Sequence, residues 1–377
     1  MPMMRIALPA APLLALVACS GPAAPDQAAG PSPSPAATPA VAAPATATTP
    51  APVPAAAPVR PGDLKTFGDW AVGCDNTRLC TMASLGPDNA VPSGVTMAVL
   101  RQPGPEGGFD LSFDLVDDRP PLSPVAVMVD GRRLALPSLT GPAAADTVRV
   151  MANGRSLGVL EAGGRRRATI SLAGASAALR WIDAQQGRAG TVSAVVATGP
   201  RPASIVPERQ PAPVVRALVA TGTAATPTAG QLAEMRRLAG CEDERMASGD
   251  IWRPEAHPLG GGATLVLLPC SAGAYNLSSA LFVLRDGRVE PAPTDAPTGF
   301  GPTPARGTDR LASVVNGSWK DGELTSFAKG RGLGDCGVNQ TMVWDGSSLR
   351  LTEQAEMGEC RGNPHYITTW RTQVVRQ

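Results

Sequence analysis

The 377-residue chain is short of histidine and of aromatic side chains. It has only two His, His257 and His365, with six Trp, two Tyr and six Phe. Two His leave little for His-based proton transfer or a His-rich metal site. No C-x-x-C pair occurs, and only His365, five residues after Cys360, lies near a Cys, so zinc is not expected. An excess of one charge is missing too: 33 Lys and Arg stand against 32 Asp and Glu. The halves are equally even, 13 against 12 over 64–198 and 18 against 18 over 199–377. A chain without a basic block has no electrostatic footprint for nucleic acid, nor a polybasic patch for lipid headgroups. After residue 18 there is no apolar run of 18 or more, which excludes a membrane-spanning helix there. No cofactor is implied.

What is present first is an address. Residues 1–18 read as a secretory signal, with Arg5 as a minimal positive start and Ile6 to Val17 as a short apolar run. Leu16-Val17-Ala18-Cys19 resembles the bacterial lipobox, which implies acylation of Cys19 and cleavage before it. Several acyl chains on one Cys, at about 0.8 kcal/mol per buried CH2, hold a protein firmly to a membrane. Ser20, rather than Asp, favours the outer membrane under the sorting rule of such proteins. Residues 20–61 hold fifteen Ala and twelve Pro, with Asp26 and Arg60 as the only charges. Such composition buries no core and predicts a disordered tether over 19–63.

Seven Cys is an odd count, and assigning Cys19 to lipid leaves six. They fall into sequence-local couples, which predicts disulfides Cys74–Cys80, Cys241–Cys270 and Cys336–Cys360 and an oxidising compartment. Six Cys allow fifteen connectivities, and loop closure favours near neighbours only logarithmically.

The folded part reads as mainly β with minor α, in two β-rich antiparallel domains of about one helix each. Over 64–198 strands are expected at Trp70–Val72, Val95–Leu100, Leu111–Leu115 and Val125–Val129, the last meeting an Asp130-Gly131 hairpin turn. A helix is expected from an N-cap at Ser171 through Leu172, Ala175, Leu179 and Ile182 to Gly187, and a strand at Val192–Ala197. Five Pro in 199–213 mark a linker. The domain over 214–377 opens with a helix at Gln231–Ala239 stopped by Gly240, then turns at Asp286-Gly287, Asp321-Gly322 and Asp345-Gly346.

Phe67-Gly68-Asp69-Trp70-Ala71-Val72-Gly73-Cys74-Asp75-Asn76 through Cys80 resembles the opening of the proteobacterial envelope family catalogued as domain of unknown function 1176. Phe327-Ala328-Lys329-Gly330-Arg331-Gly332-Leu333-Gly334-Asp335-Cys336-Gly337, Val343-Trp344-Asp345-Gly346 and Cys360-Arg361-Gly362 resemble the same family, so the likeness spans 64–377. It implies an envelope protein and carries over no catalytic residue. The first part is also similar to the invasion-associated locus B proteins, without the further Cys pair of those proteins near Pro137–Leu139.

Four patterns could hold chemistry. Ser326-Phe327-Ala328-Lys329 has the Ser-x-x-Lys spacing of penicillin-recognising enzymes, but β alternation would put Ser326 and Lys329 on opposite faces, and no Lys-Thr-Gly follows. Gly330 to Gly334 lacks the Lys-Ser/Thr of a phosphate loop and reads as a tight turn into Cys336. Asp114, Asp117 and Asp118 run into Arg119-Pro120-Pro121 and read as a solvated strand end rather than a cation site. Arg165-Arg166-Arg167 reads as a solvated hairpin tip. The expected function is therefore a lipid-anchored, periplasm-facing, non-catalytic binding or scaffold protein. Its expected partners are the membrane through Cys19 and an envelope protein or cell-wall ligand. The alternatives are an envelope hydrolase or transferase, for which Ser326 and Lys329 are the first candidates, and a secreted host-interaction protein.

Overall fold

The computed structural model describes residues 59–91, 94–115, 122–241, 250–297 and 311–377. Cys19, the signal sequence and nearly all of the tether lie outside the described residues, as do Asp117, Asp118 and Arg119. The described residues from Val59 on belong to one compact unit. The fold is mainly β, and no helix among the described residues is long and apolar enough to cross a membrane.

A five-stranded antiparallel meander comes first: β1 (Leu64–Phe67), β2 (Trp70–Cys74), β3 (Cys80–Ser84), β4 (Val95–Arg101) and β5 (Phe109–Leu115). Cys74 and Cys80 are register partners joined by a disulfide. A second sheet has the order β7–β6–β8–β9, from β6 (Ala126–Val129), β7 (Arg132–Ala135), β8 (Ser156–Leu160) and β9 (Arg166–Ser171). Two helices, α1 (Gly141–Met151) and α2 (Ala175–Gln185), share one core with these sheets, around Trp70, Met97, Val127, Met151 and Ile182. Trp70 is fully buried, and its indole N–H donates to the Ser171 carbonyl at 3.1 Å, tying the first sheet to the second.

Three expectations for this region need correction. It has two helices, not one. α1 opens Thr140-Gly141-Pro142, with Pro in the first turn, and buries Ala144, Thr147, Val148 and Met151 at helical spacing. The expected helix begins at Ala175, not at a Ser171 cap. Ser171 ends β9, and Gly174 at φ 91° holds a left-handed turn that no right-handed helix can include. Val192–Ala197 forms turns instead of a strand, because the buried Asp183 carboxylate accepts from the backbone N–H groups of Val195, Val196 and Ala197. Those donors would otherwise have made a ladder.

β10 (Val214–Ala217) pairs in parallel with β21 (Gln373–Arg376), whereas the other strand pairs among the described residues are antiparallel. A third sheet runs β11 (Glu255–Gly260), β12 (Ala263–Ala272), β13 (Leu277–Arg285), β14 (Arg288–Pro291), with β15 (Ser313–Val315) also on β13. The fourth runs β16 (Ser318–Lys320), β17 (Glu323–Lys329), β18 (Gly337–Trp344), β19 (Leu349–Met357), β20 (Ile367–Arg371). One core lies between them, with Leu265, Leu281 and Val283 against Leu324, Met342 and Leu351. The third sheet's other face takes Met235 of α3 (Ala229–Ala239), which is capped by Thr228 and Gln231 and ends at Gly240 in the left-handed conformation. Cys241–Cys270 ties the end of α3 to β12, and Cys336–Cys360 joins the approach to β18 with the exit of β19.

Asp130-Gly131, Asp286-Gly287 and Asp321-Gly322 make two-residue hairpins with both φ angles positive, the conformation Asp-Gly favours. Asp345-Gly346 differs: its turn extends to Ser348, with the Asp345 carboxylate accepting from the backbone of Ser347 and Ser348.

Candidate functional site

The charged residues of the family-like motifs meet where the first sheet abuts the fourth. Arg361, next to Cys360, donates to Asp69 at 2.5 Å, to Gly86 O at 2.7 Å and to Gly68 O at 2.9 Å. Its own carbonyl accepts from Gly86 N. Asp335, next to Cys336, is fully buried and takes Arg331 as a two-point pair at 2.7 and 2.6 Å, plus Gly362 N at 2.7 Å. Arg331 reaches on to Ala90 O, and Asn363 donates to Ser84 O at 2.5 Å. Asp75 accepts from Thr77 and Leu79 within its own turn and ion-pairs with Arg371, while Asn76 brackets the Arg371 backbone.

The electrostatics follow from these partners. Burial works to raise Asp335, but Arg331 and the Gly362 N–H stabilise the charged form and hold it below the ordinary carboxylate range. Asp69 is held low the same way, burial being outweighed by Ser171 and Arg361. Charge-assisted donors thus hold both carboxylates, Arg361 on Asp69 and Arg331 with the Gly362 N–H on Asp335, where the first sheet meets the fourth.

The residues of the four patterns that could hold chemistry are not brought together. Ser326 lies buried in β17, its Oγ accepting from Val315 N at 3.0 Å, while Lys329 is on the opposite face above the Phe327 ring. The glycine loop packs on a disulfide: a Cβ at Gly330 would stand 2.7 Å from Cys336 Sγ and 3.3 Å from Cys360 Sγ. Asp114 faces His365 at 3.9 Å, and among the described residues no group of three possible metal ligands occurs. Arg165 pairs with Glu161 beside the β8–β9 turn, and Arg166 lies on β9 near Met128.

Two features are not foreshadowed by any motif in the sequence. One is a buried polar knot. Fully buried Arg188 donates to Gln186 Oε1, Ser193 Oγ and the carbonyls of Gln102 and Gly104. Arg101 lies over the Phe109 ring, pulled down to about 9 by burial and then by the charge of Arg188. These groups fix the 191–197 turns.

The other is an open groove of about 680 Å3 beside α1. Val127 pairs with Leu134 and Val129 with Arg132, so their side chains share one face of the second sheet. α1 packs on Val127 and Val129. Leu134 and Arg132 then face Arg149, Val150 and Asn153 across the opening. Asp130 closes one end, its carboxylate held by the N–H groups of Arg155 and Ser156. Asp146 pairs with Arg149 at 2.8 Å. The Arg132 side chain makes no hydrogen bond or ion pair among the described residues. The signal that could have marked this place was Pro142 at the head of α1, directly after a strand hairpin.

Residues 64–374 match the family described as protein of unknown function (DUF1176). The chain is 30% identical over 335 residues to the uncharacterized protein YpfG of Escherichia coli (strain K12), which covers 82% of this chain and 91% of the relative. No solved structure matches it. The chain belongs to the DUF1176 family.

Proposed function

We propose that this member of the DUF1176 family is a lipid-anchored envelope protein, facing the periplasm, whose folded part is a non-catalytic binding module. The observation that carries the reading is how the motif charges are spent. Asp69, Asp335, Arg331 and Arg361 bond to one another and to backbone groups, making a rigid frame. The groove beside α1 is lined by charged side chains, of which Arg132 has no side-chain partner among the described residues. The anchor rests on the Cys19 context, and the disulfide pairing of the six other Cys supports an oxidising compartment.

The test follows the native lipoprotein. Palmitate labelling should mark the parent chain in the outer-membrane fraction, and Cys19→Ala should abolish both label and membrane partition. Crosslinking in intact cells should give one saturable crosslinked species, unchanged in Ser326→Ala and Lys329→Ala. An unlabelled parent chain in the soluble fraction would overturn the anchor. A turnover activity of the purified chain lost in Ser326→Ala would overturn the non-catalytic reading.

A further inference from the structure

The groove has a specific neighbour in the fold: the open edge of a sheet. β7 pairs with β6 on one side, and among the described residues no strand pairs with its other side. In an antiparallel ladder alternate residues point their N–H and C=O groups away from the partner, so half of this four-residue strand offers unmet ladder groups. Arg132, Arg133 and Ala135 are exposed, and no backbone hydrogen bond to the outer side of β7 occurs among the described residues.

Charge then selects what can pair there. The near-neutral whole conceals a basic unit: residues 126–171 contain seven Arg against two Asp and one Glu, a net +4 in a chain of net +1. Alternation puts Arg132 on the groove face of β7, with Arg149 across the groove, and Arg133 on the opposite face. A strand added to β7 therefore meets a guanidinium on whichever face it turns. A second copy of this chain is disfavoured, because pairing β7 with β7 would crowd four arginines onto one short ladder. An acidic strand gains from the same arrangement, and its apolar side chains can enter between Leu134 and Val150.

We infer that β7 and the groove beside it are a docking edge for an extended acidic segment of a partner protein, added as a further strand of the second sheet. This rests on the binding-module reading and names its partner class.

The probe is a fluorescent, end-capped peptide of alternating Glu and Val, titrated against the full chain by anisotropy. Saturable binding is expected, weakened at least ~10-fold in the doubly reversed variant R132E with R133E, two exposed positions that leave the core untouched. The same peptide N-methylated throughout keeps its charges but loses its ladder donors, and should also bind at least ~10-fold more weakly. Equal binding of the methylated peptide would overturn strand addition and leave charge attraction alone. Binding to phosphatidylglycerol vesicles with none to the peptide would overturn it in favour of a lipid surface. No binding at millimolar peptide overturns it too. If the crosslinked species in cells survives in the doubly reversed variant, this edge is wrong while the module reading stands.

Discussion

Asp335 and Asp146 each face a nearby arginine, Arg331 at 2.6 Å and Arg149 at 2.8 Å, yet the two pairs belong to different kinds of place. The Asp335 side chain is wholly buried and Arg331 keeps 22% of its side chain in water; for Asp146 and Arg149 the figures are 68% and 63%. The first pair continues into Gly362 and Ala90 and joins two sheets. The second stays within one helix at the rim of an open groove. Burial thus turns one ion pair into architecture, and exposure leaves the other to solvent.

The largest effect should come from cutting the staple beneath the clasp. Cys336→Ala with Cys360→Ala frees a 24-residue separation, which chain entropy values at about 3.5 kcal/mol. Denaturant midpoints of variant and parent, both unreduced, give the number. A loss under ~1 kcal/mol would mean that the ion pairs alone hold the sheets.

Asp335→Ala should follow at roughly 3 kcal/mol, the low end for a broken buried pair because Arg331 retains some water. It should also reshape the acid limb. Asp335 and Asp69 titrate below their ordinary 3.8 in the folded chain, so their contribution is complete above that value and is lost as pH falls through the lower folded values. The parent should lose stability steeply below about pH 4, and Asp335→Ala less steeply. Parallel acid limbs would show that Asp335 is not held low by the clasp.

Gly330→Ala sharpens the same side of the comparison without removing a charge. Its Cβ would press on both disulfide sulfurs, with Cys336 Sγ at 2.7 Å, an overpacked contact of about 1–3 kcal/mol. A neutral result would mean that the loop shifts freely, and the clasp with it.

How much of this could be read from the chain depended on distance along it. The turns at Asp130, Asp286 and Asp321 were legible because two adjacent residues settle them. Likewise α3, whose cap and stop are both local. The clasp was not: Arg361 lies 292 residues from Asp69 and 275 from Gly86, and no local rule pairs them. The motif residues could be picked out, but not that they are each other's partners. Val192–Ala197 misled for the same reason, since β-branched residues predicted a strand and buried Asp183, nine positions before Val192, took its donors. The groove was hidden because it is a space between elements, α1 and β7, and neither the helix nor the strand edge had a local pattern strong enough to announce it.

The smallest effect belongs to the exposed pair. Arg149→Ala and Asp146→Ala should each change stability by about 0.5 kcal/mol or less, as for solvent-exposed pairs three residues apart on a helix. The double variant isolates the interaction itself, and its coupling energy should fall within the same bound. Arg149 sits in the last turn of α1, where its charge also favours the helix end, so Arg149→Ala should cost slightly more than Asp146→Ala. Rising salt should shrink the coupling further, since an exposed pair is screened while the Asp335 pair is not. A coupling above ~1 kcal/mol that resists salt would put Asp146 and Arg149 among the structural clasps, and the contrast drawn between a locked junction and an open groove would fail at its weaker end.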